Sequence, residues 1–312
     1  MEIKKIDTTQ ITAPSPQTRP ETFSDFVGQE QIKKMLKTAI GSAQKREGNL
    51  GHILFSGPSG FGKTTMAHII AQQLGVQMKV VTAYAISKPS EIVSILNSLE
   101  SGDILFIDEI HRLKPTIEEV LYIAMEDFVI DMVMPEGGGV RIPINPFTLI
   151  GATTKPEMLS QPMKNRCIYA FHFTEYTFEE KQIIIKRYLQ HYHIVFSDPS
   201  LLAEIAKKVD SVPREIHNLC IKIRDFCVTH GVEELTSSVR TDFLTHSQIK
   251  EGGMTPLHLQ YLDILAHYDR PLGSKAIAAQ LGVNEKSLEE DIEPLLLKLG
   301  KIEKTPTGRV LL

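Results

Sequence analysis

Apolar residues change their spacing twice along this chain, and each change separates one kind of unit from the next. From residue 24 to about residue 45 they recur at helical intervals (Ile32, Met35, Leu36, Ala39, Ile40) behind a cap at Ser24 or Asp25, which predicts a first helix. Short apolar runs then alternate with amphipathic stretches. Strands are predicted at 52–56, 78–82, 103–107 and 147–152, with helices at 64–74, 89–99 and 115–128 between them. Such alternation builds a parallel sheet sandwiched by helices, with ligand sites at the carboxyl ends of its strands. Beyond Phe171 the strand pattern stops. Helices are predicted at 179–190, 199–209, 213–230 and 237–247, a separate bundle. After a loop signal at Glu251, Gly252 and Gly253, helices at 255–267, 274–281 and 284–299 (interrupted near Pro294) lead into a β-ribbon at 300–312. Three short helices and a two-stranded wing are the pattern of a winged helix. Residues 1–20, with Pro14, Pro16 and Pro20, read as an extended arm.

Composition narrows the class without naming a function. At 312 residues the chain suits two or three domains, and its 42% hydrophobic and 23% charged content is that of a globular protein. It holds no apolar run of about 18 residues and no apolar signal core near Met1, so no membrane contact is expected and the predicted location is cytoplasmic. Cys167, Cys220 and Cys227 form no C-x-x-C pair, which points to buried thiols rather than disulfides or structural zinc. The net charge of −4 matters for nucleic acid. A protein coating duplex DNA with a broad face is usually basic, so any DNA contact here must be local.

The chemistry is concentrated in two motifs. Gly57-Pro58-Ser59-Gly60-Phe61-Gly62-Lys63-Thr64 matches G-x-x-x-x-G-K-[ST] throughout. Its glycines allow backbone N–H groups to converge on phosphate oxygens, Lys63 supplies charge to the β/γ-phosphates, and the Thr64 hydroxyl can ligate Mg²⁺. Downstream, Ile104-Leu105-Phe106-Ile107 is a strand buried on both faces that ends in Asp108 and Glu109. Asp108 suits the Mg²⁺ shell, and Glu109 suits orientation of an attacking water. The pair, in this order, predicts nucleotide hydrolysis. His111 has no companion ligands at metal-binding spacing, so an orienting or packing role is expected of it.

Several further runs carry a family resemblance. They are Asp108-Glu109-Ile110-His111-Arg112-Leu113, Ala124-Met125-Glu126-Asp127-Phe128 and Phe147-Thr148-Leu149-Ile150-Gly151-Ala152-Thr153-Thr154, with Pro213-Arg214 and Thr305-Pro306-Thr307-Gly308-Arg309. From Arg19 to Val310 the chain closely resembles the RuvB family, bacterial Holliday junction branch-migration motors of the AAA+ class. The resemblance implies an α/β AAA+ P-loop domain with a parallel sheet at 21–175, a helical lid domain at 176–250 and a C-terminal winged helix at 251–312.

It also implies roles. Thr18, Arg19, Pro20 and Val27 would lie along the adenine with Tyr176, while Gly57, Gly60, Gly62, Lys63, Thr64 and Thr65 hold the phosphates of ATP. Thr64 and Asp108 would hold Mg²⁺. Thr153 or Thr154 would be the first sensor, at the end of a strand beside the carboxylates of Asp108 and Glu109, and Arg214 the second. Arg166 would be an arginine finger reaching the neighbouring subunit's γ-phosphate, with Glu126, Asp127 and Phe128 near the nucleotide at the subunit interface. Lys304 and Arg309 would touch the DNA backbone. The implied function is an ATP-hydrolysing ring motor, a hexamer, that drives branch migration of Holliday junction DNA in recombination and repair. Its implied partners are junction and duplex DNA, a RuvA-like protein docked on a hairpin at 131–144, and a junction resolvase.

The departures mark a divergent member. The hairpin is shorter than the family's and carries Gly137, Gly138 and Gly139, leaving Met132, Val133, Met134 and Val140 as its apolar surface. Around the finger, Met163-Lys164-Asn165-Arg166-Cys167-Ile168 replaces Leu-Arg-Asp-Arg-Phe-Gly, and Lys155 and Thr307 stand where the family has arginine. One rival is a clamp-loader-like or remodelling AAA+ switch acting on a protein, against which the wing argues. Another is an inactive adaptor, against which the intact set of Lys63, Asp108, Glu109, Thr153 and Arg166 argues.

Overall fold

The computed structural model describes residues 19–133, 139–196, 198–247, 250–268 and 270–312, apart from the side chains of Met132, Val133 and Glu251. Thr18 and Met134 lie outside the described residues. Contacts divide the described chain into two compact units, one ending at Tyr176 and the other running from Thr177 to Leu312.

The start of the first unit departs from the helix that apolar spacing predicts. Helix α1 spans Glu30–Lys45 and does not begin at Ser24. Asp25 instead closes a turn: its carboxylate accepts from the Thr22 hydroxyl at 2.6 Å, and its N–H donates to Thr22 Oγ1 at 3.2 Å. Gly28 (φ 74°) and Gln29 (φ 55°) then pass through the left-handed region, which an α-helix cannot include. Phe23 and Phe26 are buried in that turn, so their spacing imitates a helical face.

The alternation that follows is as the periodicity predicts. β1 (Ile53–Ser56), α2 (Lys63–Leu74), β2 (Met78–Thr82), α3 (Pro89–Asn97), β3 (Ile104–Asp108) and α4 (Pro115–Asp127) come in order. A hairpin of β4 (Val129–Val133) and β5 (Gly139–Pro143) precedes β6 (Thr148–Thr153), α5 (Gln161–Arg166) and β7 (Tyr169–His172). Five strands form one parallel sheet in the order β2-β3-β6-β1-β7. The apolar pattern does not announce β7, because Tyr169–His172 alternates half-buried and exposed residues as an edge strand does. β1, β3 and β6 are buried along nearly their whole length, and Ile92, Leu96, Leu105, Ile107, Leu121 and Leu149 pack into one fully covered cluster. Burial on this scale, at about 25 cal/mol per Å² of apolar surface, holds the sheet rigid beneath its loops. Burial also pushes the Cys167 thiol up to about 12, and all three cysteines are free.

In the second unit α6 (Phe178–His191), α7 (Ser200–Ala206), α8 (Pro213–Thr229) and α9 (Ser237–Ser247) form the expected bundle, with α7 shorter than its apolar pattern suggests. Thr177 caps α6 by accepting from Glu180 N at 3.2 Å while Glu180 accepts from Thr177 N at 2.8 Å. α10 (Pro256–Ala266), α11 (Ser274–Leu281), α12 (Glu285–Ser287) and α13 (Glu293–Lys298) follow, a π-helical turn at Leu288–Ile292 joining the last two. The ribbon β8 (Ile302–Thr305) and β9 (Gly308–Leu311) is antiparallel, as the wing pattern predicts. Tyr261, Leu288, Leu296 and Ile277 form a separate small core there.

Candidate nucleotide site and wing

The motif residues meet at the carboxyl ends of adjacent strands. β6 lies between β3, which delivers Asp108, and β1, which delivers the phosphate loop. Ser56 is in register with Thr153, and Gly57 N donates to Thr153 O at 3.2 Å, so the loop leaves the sheet directly beside the threonine. Two of the glycines are required by space as well as by φ. Gly57 (φ 131°) would place a Cβ 2.8 Å from Phe173 O, and Gly62 (φ 95°) would place one 2.8 Å from the Phe26 ring. Gly60 (φ 82°) is also left-handed. Lys63, the first residue of α2, is buried and donates to Gly57 O at 2.7 Å and Pro58 O at 2.8 Å. Its ammonium therefore sits across the loop whose N–H groups open a helix, an arrangement built for anionic oxygens.

Thr64 and Asp108 make a fitting pair for a hard cation. Asp108 Oδ1 accepts from Glu109 N at 3.0 Å, while among the described residues neither Asp108 Oδ2 nor the Thr64 hydroxyl has a protein partner. Oxygen donors of this kind, few in number, are how Mg²⁺ is held beside a phosphate. Thr65 is half-buried on the same first turn of α2.

Glu109 takes a left-handed conformation (φ 52°, ψ 42°) and turns the chain into a short 3₁₀ segment, Ile110–Arg112. Ile110 packs so closely on β6 that a Cβ at Gly151 would lie 2.7 Å from its Cδ1. That contact seats His111 beside Thr153. His111 Nδ1 is 2.9 Å from Thr153 Oγ1 and 3.2 Å from Glu109 Oε2, and Thr154 Oγ1 donates to the same Glu109 oxygen at 3.1 Å. Thr153 Oγ1 also accepts from Lys155 N at 2.9 Å. Burial lowers the His111 pKa, Arg112 and Lys155 lower it further, and Glu109 opposes them. His111, for which an orienting or packing role is expected, thus has two specific partners, which no spacing in the sequence could display.

Arg166 ends α5 and lies over the Tyr122 ring at 4.6 Å, with NH2 3.0 Å from Glu126 and NH1 donating to Pro162 O at 3.1 Å. Tyr122 is itself fixed, because its hydroxyl meets the buried Glu118 carboxylate and lies 2.7 Å from Ser160 Oγ. Sequence motifs do not reveal this cradle; the i, i+4 pair Glu118 and Tyr122 is its one visible trace. Asp127 is exposed and Phe128 (φ 52°) ends α4, its ring edge-on to Phe147. Near the loop, the Tyr176 hydroxyl donates to Phe61 O at 3.1 Å and its ring packs edge-on to Phe61. Val27 and Pro20 are half-buried, and Arg19 is exposed with its charge felt by His68 on α2.

In the second unit Arg214 is exposed on the first turn of α8. The wing cations have internal partners. Arg309 donates to Glu293 at 2.8 Å and Glu289 at 2.6 Å, and Lys304 Nζ lies 2.6 Å from Glu293. Glu293 has no solvent exposure and also accepts from Tyr261 at 3.0 Å. Among the described residues no cluster of three or more metal-ligating His, Cys, Asp or Glu occurs, and no helix is long and apolar enough to cross a membrane.

Comparison with known proteins agrees with this geometry. Residues 18–173 match the family described as the Holliday junction DNA helicase RuvB P-loop domain, and residues 251–311 match the RuvB C-terminal winged helix domain. The RuvB subunit of the branch migration complex of Campylobacter fetus is 43% identical over 94% of this chain and 86% of its own length. That of Helicobacter pylori is 40% identical over 94% and 88%. The solved RuvB motor of Thermotoga maritima superposes with a TM-score of 0.80 at 35% identity, covering 95% of each chain. A phosphate loop, a paired-carboxylate strand end and a terminal winged helix, matched along nearly the whole chain, make this protein a member of the RuvB family.

Proposed function

We propose that this chain is an ATP-driven motor of Holliday junction branch migration, acting in the cytoplasm as a ring, most simply a hexamer. The observation that carries the reading is the grouping of Lys63, Asp108, Glu109 and Thr153 at neighbouring strand ends, in a chain that ends in a winged helix. In this reading ATP phosphates rest on the loop from Gly57 to Thr65, with Lys63 facing the β/γ oxygens. Thr64 and Asp108 hold Mg²⁺, which when bound neutralises charge on those phosphates. Glu109, steadied by His111 and Thr154, orients a water for in-line attack. Thr153 fixes His111 from the strand side.

Arg166 serves a neighbouring subunit, spreading the charge that develops on the transferred phosphoryl group, with Glu126, Asp127 and Phe128 at the same interface. Dependence on a neighbour couples hydrolysis to assembly. Arg214 senses the γ-phosphate and relays the nucleotide state to the winged helix. Arg19, Pro20, Val27 and Tyr176 face the adenine. A RuvA-like partner docks on the hairpin of β4 and β5, where Val140 is exposed, and a resolvase acts on the same junction.

The experiment is ATP hydrolysis and strand exchange on a synthetic four-way junction, with and without RuvA. Junction-stimulated turnover and branch migration are expected, both abolished by Lys63→Ala. A remodelling switch acting on a protein would hydrolyse ATP with no junction stimulation, and that result would sink the proposal.

A further inference from the structure

Strong positive charge that the proposed mechanism does not use lies in the second unit. A cavity of about 750 Å³ opens between α7, α9 and α10, and its lining includes Lys207, Lys208, Arg240, Lys250, Thr241 and Glu204. Among the described residues Glu204 is its single carboxylate, and it is paired with Arg240. Among the described residues Lys207, Lys208 and Lys250 have no side-chain hydrogen bond or ion pair. Arg240 also donates through Nη2 to Thr241 at 3.2 Å, yet its Nε is buried with no partner among the described residues. A buried donor left over in a native structure calls for a water, an ion or a ligand. Three lysines around one space, beside an arginine paired to its one carboxylate, leave excess positive charge, so the cavity favours a multiply charged anion.

The wing's own cations are engaged inside the winged helix. Arg309 and Lys304 are tied to Glu293 and Glu289, and α12 to α13 carries Glu285, Glu289, Glu290, Asp291 and Glu293. An acidic helix laid against phosphates meets like-charge repulsion. A DNA-acting chain with a net charge of −4 still needs a local basic contact.

We infer that the wall formed by Lys207, Lys208, Arg240 and Lys250 is a phosphate-binding site that grips the DNA backbone. The inference rests on the reading of the chain as a DNA motor. Backbone phosphates come in a row, which suits several lysines better than a single small anion does, and the contact is blind to sequence, as a translocating motor requires.

The test is the salt dependence of duplex DNA binding by the full chain. Lys207→Ala with Lys250→Ala is expected to lower the log–log salt slope by about two units, one for each lysine withdrawn from a phosphate. Lys207→Arg with Lys250→Arg should keep the slope, and DNA-independent ATPase should be unchanged in both variants. A wild-type slope in the double alanine variant overturns the site. A second arm titrates DNA-free protein, its ATP site filled with a non-hydrolysable nucleotide, with inorganic pyrophosphate. Saturable pyrophosphate binding that the double alanine variant loses, alongside an unchanged DNA slope, would assign the cavity to a small phosphorylated ligand and overturn the DNA assignment. Junction-stimulated ATPase in the wild type separates these outcomes from failure of the motor reading itself.

Discussion

His111 brings its Nδ1 to 3.2 Å from Glu109 Oε2, so the candidate water-orienting carboxylate is linked through one ring to the fully buried Thr153. Burial favours the neutral imidazole, which can donate from Nδ1 and cannot neutralise the carboxylate outright. Glu109 is thereby aimed by a hydrogen bond. His111→Ala should leave ATP affinity nearly unchanged and lower turnover by up to about 10²-fold, the scale of a misplaced catalytic group. His111→Asn, which can restore one donor, should recover part of the loss. Full turnover in His111→Ala would show that Glu109 needs no such support.

Arg166 rests on its own subunit, held by Glu126 at 3.0 Å and by the Tyr122 ring. An arginine that completes a neighbour's site must be dispensable for binding ATP in its own. Arg166→Ala is therefore expected to bind ATP normally and hydrolyse it poorly. Mixed with Glu109→Gln, it should regain activity through interfaces that join one intact finger to one intact carboxylate. A mixture that stays inactive, where subunit exchange has been demonstrated separately, removes the finger assignment.

Much of this architecture is legible in the chain because strands buried on both faces and amphipathic helices differ in period. The phosphate loop and the Asp108–Glu109 strand end are legible for a second reason, since their chemistry restricts residue types over short spans. What could not be read depends on contacts between distant residues. The turn at Thr22 to Asp25 shares its apolar spacing with a helix, and only the left-handed Gly28 and Gln29 separate the two. His111 and Thr153 are 42 positions apart, and Glu293 looks like a surface acid beside Pro294. Its burial arises only when Tyr261, Lys304 and Arg309 converge from three elements.

That convergence makes the winged helix sensitive to one carboxylate. Burial would raise the Glu293 pKa, but hydrogen bonds from Arg309, Lys304 and Tyr261 outweigh it and hold the carboxyl below its ordinary 4.5. A depressed acid contributes stability above the unfolded value, and that contribution is lost as pH falls through the folded one. Glu293→Ala strands two cations and a buried phenol, so a loss of about 3–5 kcal/mol is expected, with the unfolding midpoint of the C-terminal region falling accordingly. Thermal unfolding of Glu293→Ala within a degree of wild type would mean the network contributes nothing.

The ATPase unit should respond to acid at a higher pH, through His52. Its Nε2 donates to Met125 O at 3.0 Å while Nδ1 accepts from Leu149 N at 2.8 Å, so the fold uses the neutral ring and has no place for a second proton. Burial lowers its pKa from the ordinary 6.5, and the bond to Met125 only partly opposes that. The unfolded chain then binds a proton that the folded chain refuses. Stability is complete above about 6.5 and declines as pH falls from there toward the folded value. His68 and His111 are lowered in the same unit and add to the decline. Glutamine can make both bonds of the neutral ring without titrating. His52→Gln should therefore flatten the decline without abolishing it. Denaturant unfolding at pH 5 and pH 7.5 measures the difference directly. Equal pH dependence in the two proteins would place the acid sensitivity elsewhere, with His52 contributing only its packing.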